Sequence, residues 1–544
     1  MSERQDEDDA ARQDEPPDGA PDGAMAAVAA GQPGAGQPGA GPPEGAATAA
    51  GTAGHGGGAA AGELASEAAG EAASGAARGA ARGAARGAAP ETVLQGAGEA
   101  VPGEPGARTR AGARAWTRDG GETPVNGGPP AGESGLRRQA AVALVLLGVV
   151  ILAVTAFTTP WHVLTGGPPD PARDFTAAQI ARAEAFDAAT SLPSYLSLAL
   201  TIVFAGLLLA TPLGARAVGW LKGPWWLRVI LGVVVITAIV ELVRWPLGVW
   251  FETIMRDYGL STQDWAGWAG DRLKNLGVEV FLLCVMLTAL VALARKVRRW
   301  WIPAAVGAFA LTVVASFVYP VVFEPMFNDF TSMPQGALRT KLLDMAERDG
   351  VPVEDVLVAD ASRRTTALNA YVSGFGATRR IVVYDTLLRA PQPEVELVVA
   401  HELGHAKYDD VLHGTLIGGL GAGLGAIALF LVFTPVRRRT GVTSITDPRA
   451  VCALVGLATV GSLLVGPFQN VVSRHIEARA DVHALDLTKD PATFIAMQKR
   501  LAVTNISDLS PNAVEYVLYA SHPSSPERIA MARSWAELNG VPVP

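Results

Sequence analysis

Seven stretches of mostly apolar residues punctuate this 544-residue chain. Each is about twenty residues long, enough to cross a hydrocarbon core of roughly 30 Å as a helix. They run over about 139–157, 193–211, 227–250, 277–295, 302–322, 414–435 and 450–467. Inside lipid no water satisfies a peptide group, so such runs fold as helices that close their own hydrogen bonds. The expected fold class is therefore a multi-pass α-helical membrane protein of about seven spans, and a soluble single-domain enzyme is excluded. The lipid bilayer is the first partner implied. Nucleic acid is not one, because the formal net charge is −8 and the basic residues sit mostly at the ends of apolar runs.

Outside the spans the composition changes twice. Residues 1–136 are polar and rich in Gly, Ala and Pro, with almost no large apolar side chains to offset the entropy of ordering. They read as a disordered low-complexity tail. Its G-A-A-R tract would place Arg78, Arg82 and Arg86 on one face if helical, but a solvated linker is the plainer reading. The charged start shows no cleavable signal peptide. Residues 137–322 hold spans one to five, with 158–192 and 251–276 as short amphipathic connections. Residues 413–467 hold spans six and seven, the sixth Gly-rich (IGGLGAGLGAIALF) and suited to close helix packing.

Two polar regions remain, 323–412 and 468–544. In the first, Gln335 to Glu347 reads as a helix, followed by β-rich pieces at Asp355–Asp360, Asn369–Ser373 and Arg380–Tyr384. Gly374 and Gly376 mark a hairpin turn between the last two pieces. A helix then starts near Pro393, with Glu394 and Glu396 in its first turn. Cys284 and Cys452 both lie in apolar segments and can form neither a disulfide framework nor a cysteine zinc site.

That last helix contains His401-Glu402-Leu403-Gly404-His405. Residues i and i+4 share one helix face, so both imidazoles can point at one zinc ion. Glu402 can then reach a water made acidic by the metal and act as general base. A catalytic zinc site needs a third protein ligand. The best candidate is Glu477, with Asp481 one turn later on the same face. Asp481 would hold the second nitrogen of a ligand histidine and fix its tautomer. A solvated helix with i, i+4 charge pairs is the plain alternative for this segment, and His475 and His483 are rival ligands off the Glu477 face. Two spans separate HELGH from Glu477, and this even number returns the chain to the same side of the membrane.

HELGH followed by Glu477-Ala478-Arg479-Ala480-Asp481 resembles the M48 family of zinc metallopeptidases. The flanking spans resemble its multi-pass Ste24-type branch, the CAAX prenyl proteases, over roughly 140–535. Supporting matches are Asn369-Ala370-Tyr371 with Gly374-Phe375-Gly376, the stretch Arg380 to Leu387, and Ser521-His522-Pro523 with Glu527-Arg528-Ile529. The resemblance implies an α+β zincin-like peptidase domain assembled from 323–412 and 468–544. It implies one Zn2+ per chain, held by His401, His405 and Glu477, with Glu402 as base. His522, assisted by Arg528, would stabilise the oxyanion, and Asn369, Ala370 and Tyr371 would bind a peptide or membrane-protein substrate by strand addition. Ser525 and Pro526 read as N-cap and first residue of the helix after His522. It further implies a water-filled chamber among the spans, which Glu241 and Arg244 would line unless they form a buried structural pair.

Two alternatives carry different chemistry. A non-catalytic membrane protein or pseudoenzyme would hold a structural metal with four ligands and no base, whereas Glu402 is present. A zinc hydrolase of lipid amides would share the site but have no use for a substrate-pairing strand. The Arg-over-Lys, Ala/Gly-rich composition points to a bacterial cell membrane, where prenylated substrates are not given. Basic clusters before span one, between four and five, and between six and seven share one side, which would put the zinc site outside. The eukaryotic relatives imply the cytosolic side, so the sequence leaves the orientation open.

Overall fold

The structure, a computed structural model, describes residues 131–374, 376 and 379–543. The expected disordered tail lies outside the described residues as far as position 130, as does Phe375. The last residues assigned to that tail, from Ala131, already belong to the first helix. Five long helices open the fold: α1 (Ala131–Thr158), α2 (Ala177–Ala210), α3 (Trp225–Asp257), α4 (Trp265–Lys296) and α5 (Trp301–Val318). Next come β1 (Phe330–Ser332), α6 (Ala337–Arg348), β2 (Asp355–Ala359), β3 (Ala370–Ser373), β4 (Arg380–Tyr384) and α7 (Gln392–Lys407). Helices α8 (Asp410–Thr440) and α9 (Val451–Thr488) run away from this region and back to it. The chain ends in α10 (Pro491–Thr504), α11 (Ala513–Tyr519) and α12 (Ser525–Leu538). Among the described residues seven helices are long and apolar enough to cross a membrane, as the run lengths require.

The helices exceed the apolar runs, and this corrects the reading of 158–192 and 251–276 as connections. Most of both stretches is helix, because α2, α3 and α4 continue past the apolar windows. The extension has a packing cause. Ala183 and Phe186 of α2, and Ile254 and Met255 of α3, are buried in the same apolar core as Leu342, Ile381, Val399 and Leu485. The membrane helices thus supply part of the floor on which the sheet and α7 rest. Helix α9 does the same over 38 residues, so Glu477 lies on the continuation of the seventh span rather than on a separate element.

The sheet has the order β1-β2-β4-β3. β1 and β2 are antiparallel, β2 and β4 parallel, and β3 pairs antiparallel with β4 from Ala370↔Val383 to Ser373↔Arg380. β3 is an edge strand, and among the described residues no strand pairs with its other side. Gly374 leaves it at φ 93°, in the left-handed region that favours glycine, which makes the hairpin exit possible here. In the bundle, a Cβ on Gly419 would meet Phe309 Cδ2 at 2.8 Å, and one on Gly423 would meet the Ala305 carbonyl at 3.2 Å. The small residues of α8 therefore let it lie close against α5. Glu241 is ion-paired with Arg272 at 2.5 Å, and Arg244 Nε donates to Ser197 Oγ at 3.1 Å, so each joins its span to a neighbouring helix.

Candidate metal centre

Helix α7 starts at Pro391–Pro393, and Glu394 in its first turn is clamped by Arg500 at 2.5 and 3.1 Å. Two turns on, the Nε2 atoms of His401 and His405 lie 3.2 Å apart. Glu477 of α9 faces them, with carboxylate oxygens 3.2 Å from His401 Nε2 and 3.5 Å from His405 Nε2. All three residues are buried, and their ligand atoms lie within 4.8 Å of one another. Two imidazoles and one carboxylate form the donor set that suits a catalytic zinc ion.

Behind the ligands stands a ring of charged supports. His401 Nδ1 is 2.8 Å from Asp481 Oδ1, and His405 Nδ1 is 3.0 Å from Asp410 Oδ2. Each Nδ1–H thus has a carboxylate, and each Nε2 is turned inward. Each carboxylate is itself held by an arginine. Arg528 grips Asp481 through Nε at 2.8 Å and Nη2 at 2.5 Å, and Arg479 grips Asp410 while lying 4.2 Å over the Tyr408 ring. Fully buried Gln498 accepts from Arg528 at 3.1 Å when its amide oxygen faces the guanidinium. Burial opposes a charge on His401, but the Asp481 and Glu477 carboxylates outweigh it and push its pKa up to about 10. A cation binding there displaces a proton.

Beside the imidazoles a cleft opens between α7 and β3, lined by Glu402 and His405, Val372 and Gly374, and Asp409 and Leu412. Strand geometry fixes which atoms β3 presents to it. The Tyr384 N–H donates to the Asn369 carbonyl at 3.0 Å, so the backbone groups of Asn369, Tyr371 and Ser373 face β4. Those of Ala370, Val372 and Gly374 face the open edge, where the Ala370 N–H is taken by Asn369 Oδ1 at 2.8 Å. Tyr371 is buried, its ring edge-on to Tyr384 at 6.4 Å.

His522 comes from the loop between α11 and α12, with Nε2 3.4 Å from Glu477 Oε2 and Nδ1 2.9 Å from Ser521 Oγ. It is partly exposed. The loop is strapped to α9 by Arg474, which donates to the Tyr516 carbonyl at 2.7 Å and to the Ala520 carbonyl, with its guanidinium 4.3 Å over the Tyr516 ring. The helix after His522 is capped one residue earlier than read from the sequence. Ser524, not Ser525, is the N-cap, and Glu527 accepts from its backbone N–H at 2.7 Å and its hydroxyl at 2.9 Å. The rival histidines are engaged elsewhere: His475 with the Val471 carbonyl at 2.9 Å, His483 with Asp349 at 2.9 Å. Sequence reasoning missed Asp410, Arg479 and Arg474. For Asp410 a signal existed, an acidic pair Asp409-Asp410 between the HELGH helix and the next apolar run.

Comparison with known proteins gives concordant matches. The model of peptidase family M48 matches residues 332–536, and that of the CAAX prenyl protease N-terminal region, five membrane helices, matches 172–329. An uncharacterized metalloprotease of Bacillus subtilis, YhfN, is 30% identical over 385 residues, covering 68% of this chain and 89% of the relative. A CAAX prenyl protease 1 homolog of Oryza sativa is 32% identical over 231 residues, 41% of this chain and 53% of that protein. CAAX prenyl protease 1 of Saccharomyces cerevisiae is 26% identical over 322 residues, 54% and 69% respectively. The crystal structure of S. mikatae Ste24p shares the fold, with a TM-score of 0.61 at 19% identity over 74% of this chain and all of that one.

Proposed function

This chain belongs to peptidase family M48 and is a multi-pass membrane metalloprotease, and from that premise we propose that it is a zinc endopeptidase working by a glutamate general base. The observation that carries the reading is the convergence of His401, His405 and Glu477 with a carboxylate behind each imidazole. One zinc ion per chain would be held by these three residues. When bound, it supplies the Lewis acidity that brings a water into reach of deprotonation near neutral pH.

The remaining steps fall to the chain's own residues. A peptide lies in the cleft as an added strand, pairing with the outward backbone groups of Val372 and Gly374. Asn369 and Ala370 close the far end of that edge, and Tyr371 supports it from beneath. Glu402 takes the proton of the attacking water and returns it to the leaving amine. His522, next to Glu477 and partly exposed, donates to the oxyanion. Arg528, engaged bidentately by Asp481, acts as a positioning residue that keeps the His401 ring turned inward. The peptidase unit assembles from 323–412 and 468–544, and the protein resides in a bacterial cell membrane, as the Bacillus relative favours.

The test is zinc quantification with cleavage of a peptide library by detergent-purified protein, with and without a chelator. Peptides bearing and lacking a prenylated C-terminal cysteine are compared, since several relatives are named for that substrate. Expected are one zinc per chain and chelator-sensitive cleavage. Metal-free protein that still cleaves would overturn the reading.

A further inference from the structure

The two ends of the helix bundle differ in charge. Away from the metal centre, the start of α1 and three short connections meet. Arg137 donates to Thr434 Oγ1 at 2.8 Å and to the Leu431 carbonyl at 3.1 Å, joining α1 to the far end of α8. Arg295 donates to the Thr446 carbonyl at 3.0 Å and lies 5.1 Å over the Trp225 ring, joining the ends of α4 and α3 to the α8–α9 connection. The residues gathered there, 131–140, 211–228, 295–300 and 437–450, include thirteen Lys and Arg and only two acidic residues, Glu133 and Asp447. Arg298, Arg299, Arg438 and Arg439 are exposed.

At the metal-centre end the short connections read differently. Residues 158–176 and 251–276 carry four basic and six acidic side chains. Several of these are neutralised in place: Asp271 pairs with Lys274 at 3.0 Å and with Arg364 at 2.8 Å, and Asp174 pairs with Lys499 at 3.0 Å and with Arg533. Short loops carry the orientation signal, whereas long regions such as 323–412 translocate largely regardless of charge. The cytoplasmic leaflet carries the anionic lipids, and basic residues at the membrane surface are attracted to it.

We propose that the basic end of the bundle docks on the anionic headgroups of the cytoplasmic leaflet, so that the metal centre opens on the opposite, extracytoplasmic face. Substrates are then peptides presented outside the cytoplasm, and a prenylated C-terminus displayed in the cytoplasm is out of reach. The inference rests on the seven spans and their flanking charges and is independent of the peptidase chemistry.

Impermeant thiol labelling of the full chain in bacterial spheroplasts tests it. Cys284 and Cys452 are first replaced by Ser and Ala. Single cysteines are then introduced as Glu347→Cys and Glu537→Cys at the metal-centre end and as Thr443→Cys at the basic end, all at exposed positions. In intact spheroplasts a membrane-impermeant maleimide is expected to label the first two at least tenfold more than the third, with all three equal after lysis. The reverse pattern, or equal labelling before lysis, overturns the orientation. Two positions at one end guard against a single misfolded variant. Cleavage by detergent-purified protein is blind to sidedness, so failure of the peptidase reading shows separately.

Discussion

The metal centre is built from two arms of unlike origin. Helix α7 supplies His401, Glu402 and His405 from five consecutive residues, so helical pitch alone sets their spacing. Helix α9 supplies Glu477 and Asp481 after two membrane crossings, and their place depends on how α9 packs. His401 leans on the second arm through Asp481 and Arg528. His405 leans on Asp410, just past its own helix, with Arg479 of α9 behind it. One arm is secured by local geometry and the other by tertiary contacts, so the two should fail differently when disturbed.

The largest effect is expected from the first arm. Glu402→Gln keeps shape and hydrogen bonding but removes the base, and hydrolysis should fall by roughly 10²–10⁴-fold. Zinc content, read by elemental analysis, should stay at the wild-type level, because Glu402 lines the cleft beside the ligands. Wild-type hydrolysis by a zinc-loaded Glu402→Gln variant would remove the general-base role.

Disturbing the supports comes next. Asp481→Asn and Asp410→Asn should each weaken zinc binding by roughly 10–100-fold in chelator competition. Asp481→Asn should cost more, since it also frees Arg528 from its bidentate pair; equal losses would mean that the arms are alike. Proton competition sharpens the contrast. With the metal-free His401 pKa near 10, zinc displaces one proton at neutral pH, so apparent affinity should rise about tenfold per pH unit from 6 to 8. Asp481→Asn removes a cause of that raised pKa and should flatten the slope, whereas Asp410→Asn should leave it steep.

A smaller effect is expected at the strap that carries His522. Arg474→Lys keeps the charge but gives up the two-carbonyl grip on Tyr516 and Ala520. If the strap positions His522, kcat should drop roughly tenfold with KM and zinc content nearly unchanged. A change confined to thermal stability would assign Arg474 to folding alone.

The sequence was legible where one physical rule suffices. Run length identified the seven spans, and i, i+4 spacing grouped His401 with His405, because both follow from helix geometry. It was less legible where an element serves two environments. The amphipathic ends of α2 and α3 looked like connections because their buried faces meet the peptidase core rather than lipid, and Phe186 and Met255 show no apolar run around them. Glu477 and Asp481 were candidates on spacing, but only the family resemblance set them apart, since a carboxylate pair one turn apart is what a solvated helix also shows. Asp410 and Arg474 act through atoms that only the folded chain brings together. Strand parity is another such case: Val372 and Gly374 face the open edge because of their register with β4, which alternation in sequence cannot assign.

The smallest expected effect probes the seam between the arms. Gly404 sits where α7 crosses α9, and a Cβ there would meet Ala480 Cα and His483 Cδ2, each at 3.2 Å. The contact is tight without being prohibitive, and one of its partners is backbone, so α9 must give by a few tenths of an ångström. Overpacking of this kind costs about 1–3 kcal/mol, while alanine in place of glycine stabilises an isolated helix by ~1 kcal/mol. Gly404→Ala should therefore lower overall stability by no more than about 2 kcal/mol. Its effect should fall on the α9 arm, moving Glu477 and Asp481 relative to the imidazoles and weakening zinc binding several-fold. Thermal unfolding of metal-free protein beside zinc competition separates the two terms. Wild-type zinc affinity in a folded Gly404→Ala variant would mean that the α9 arm does not depend on this crossing, and that Arg528 and Gln498 suffice to hold it.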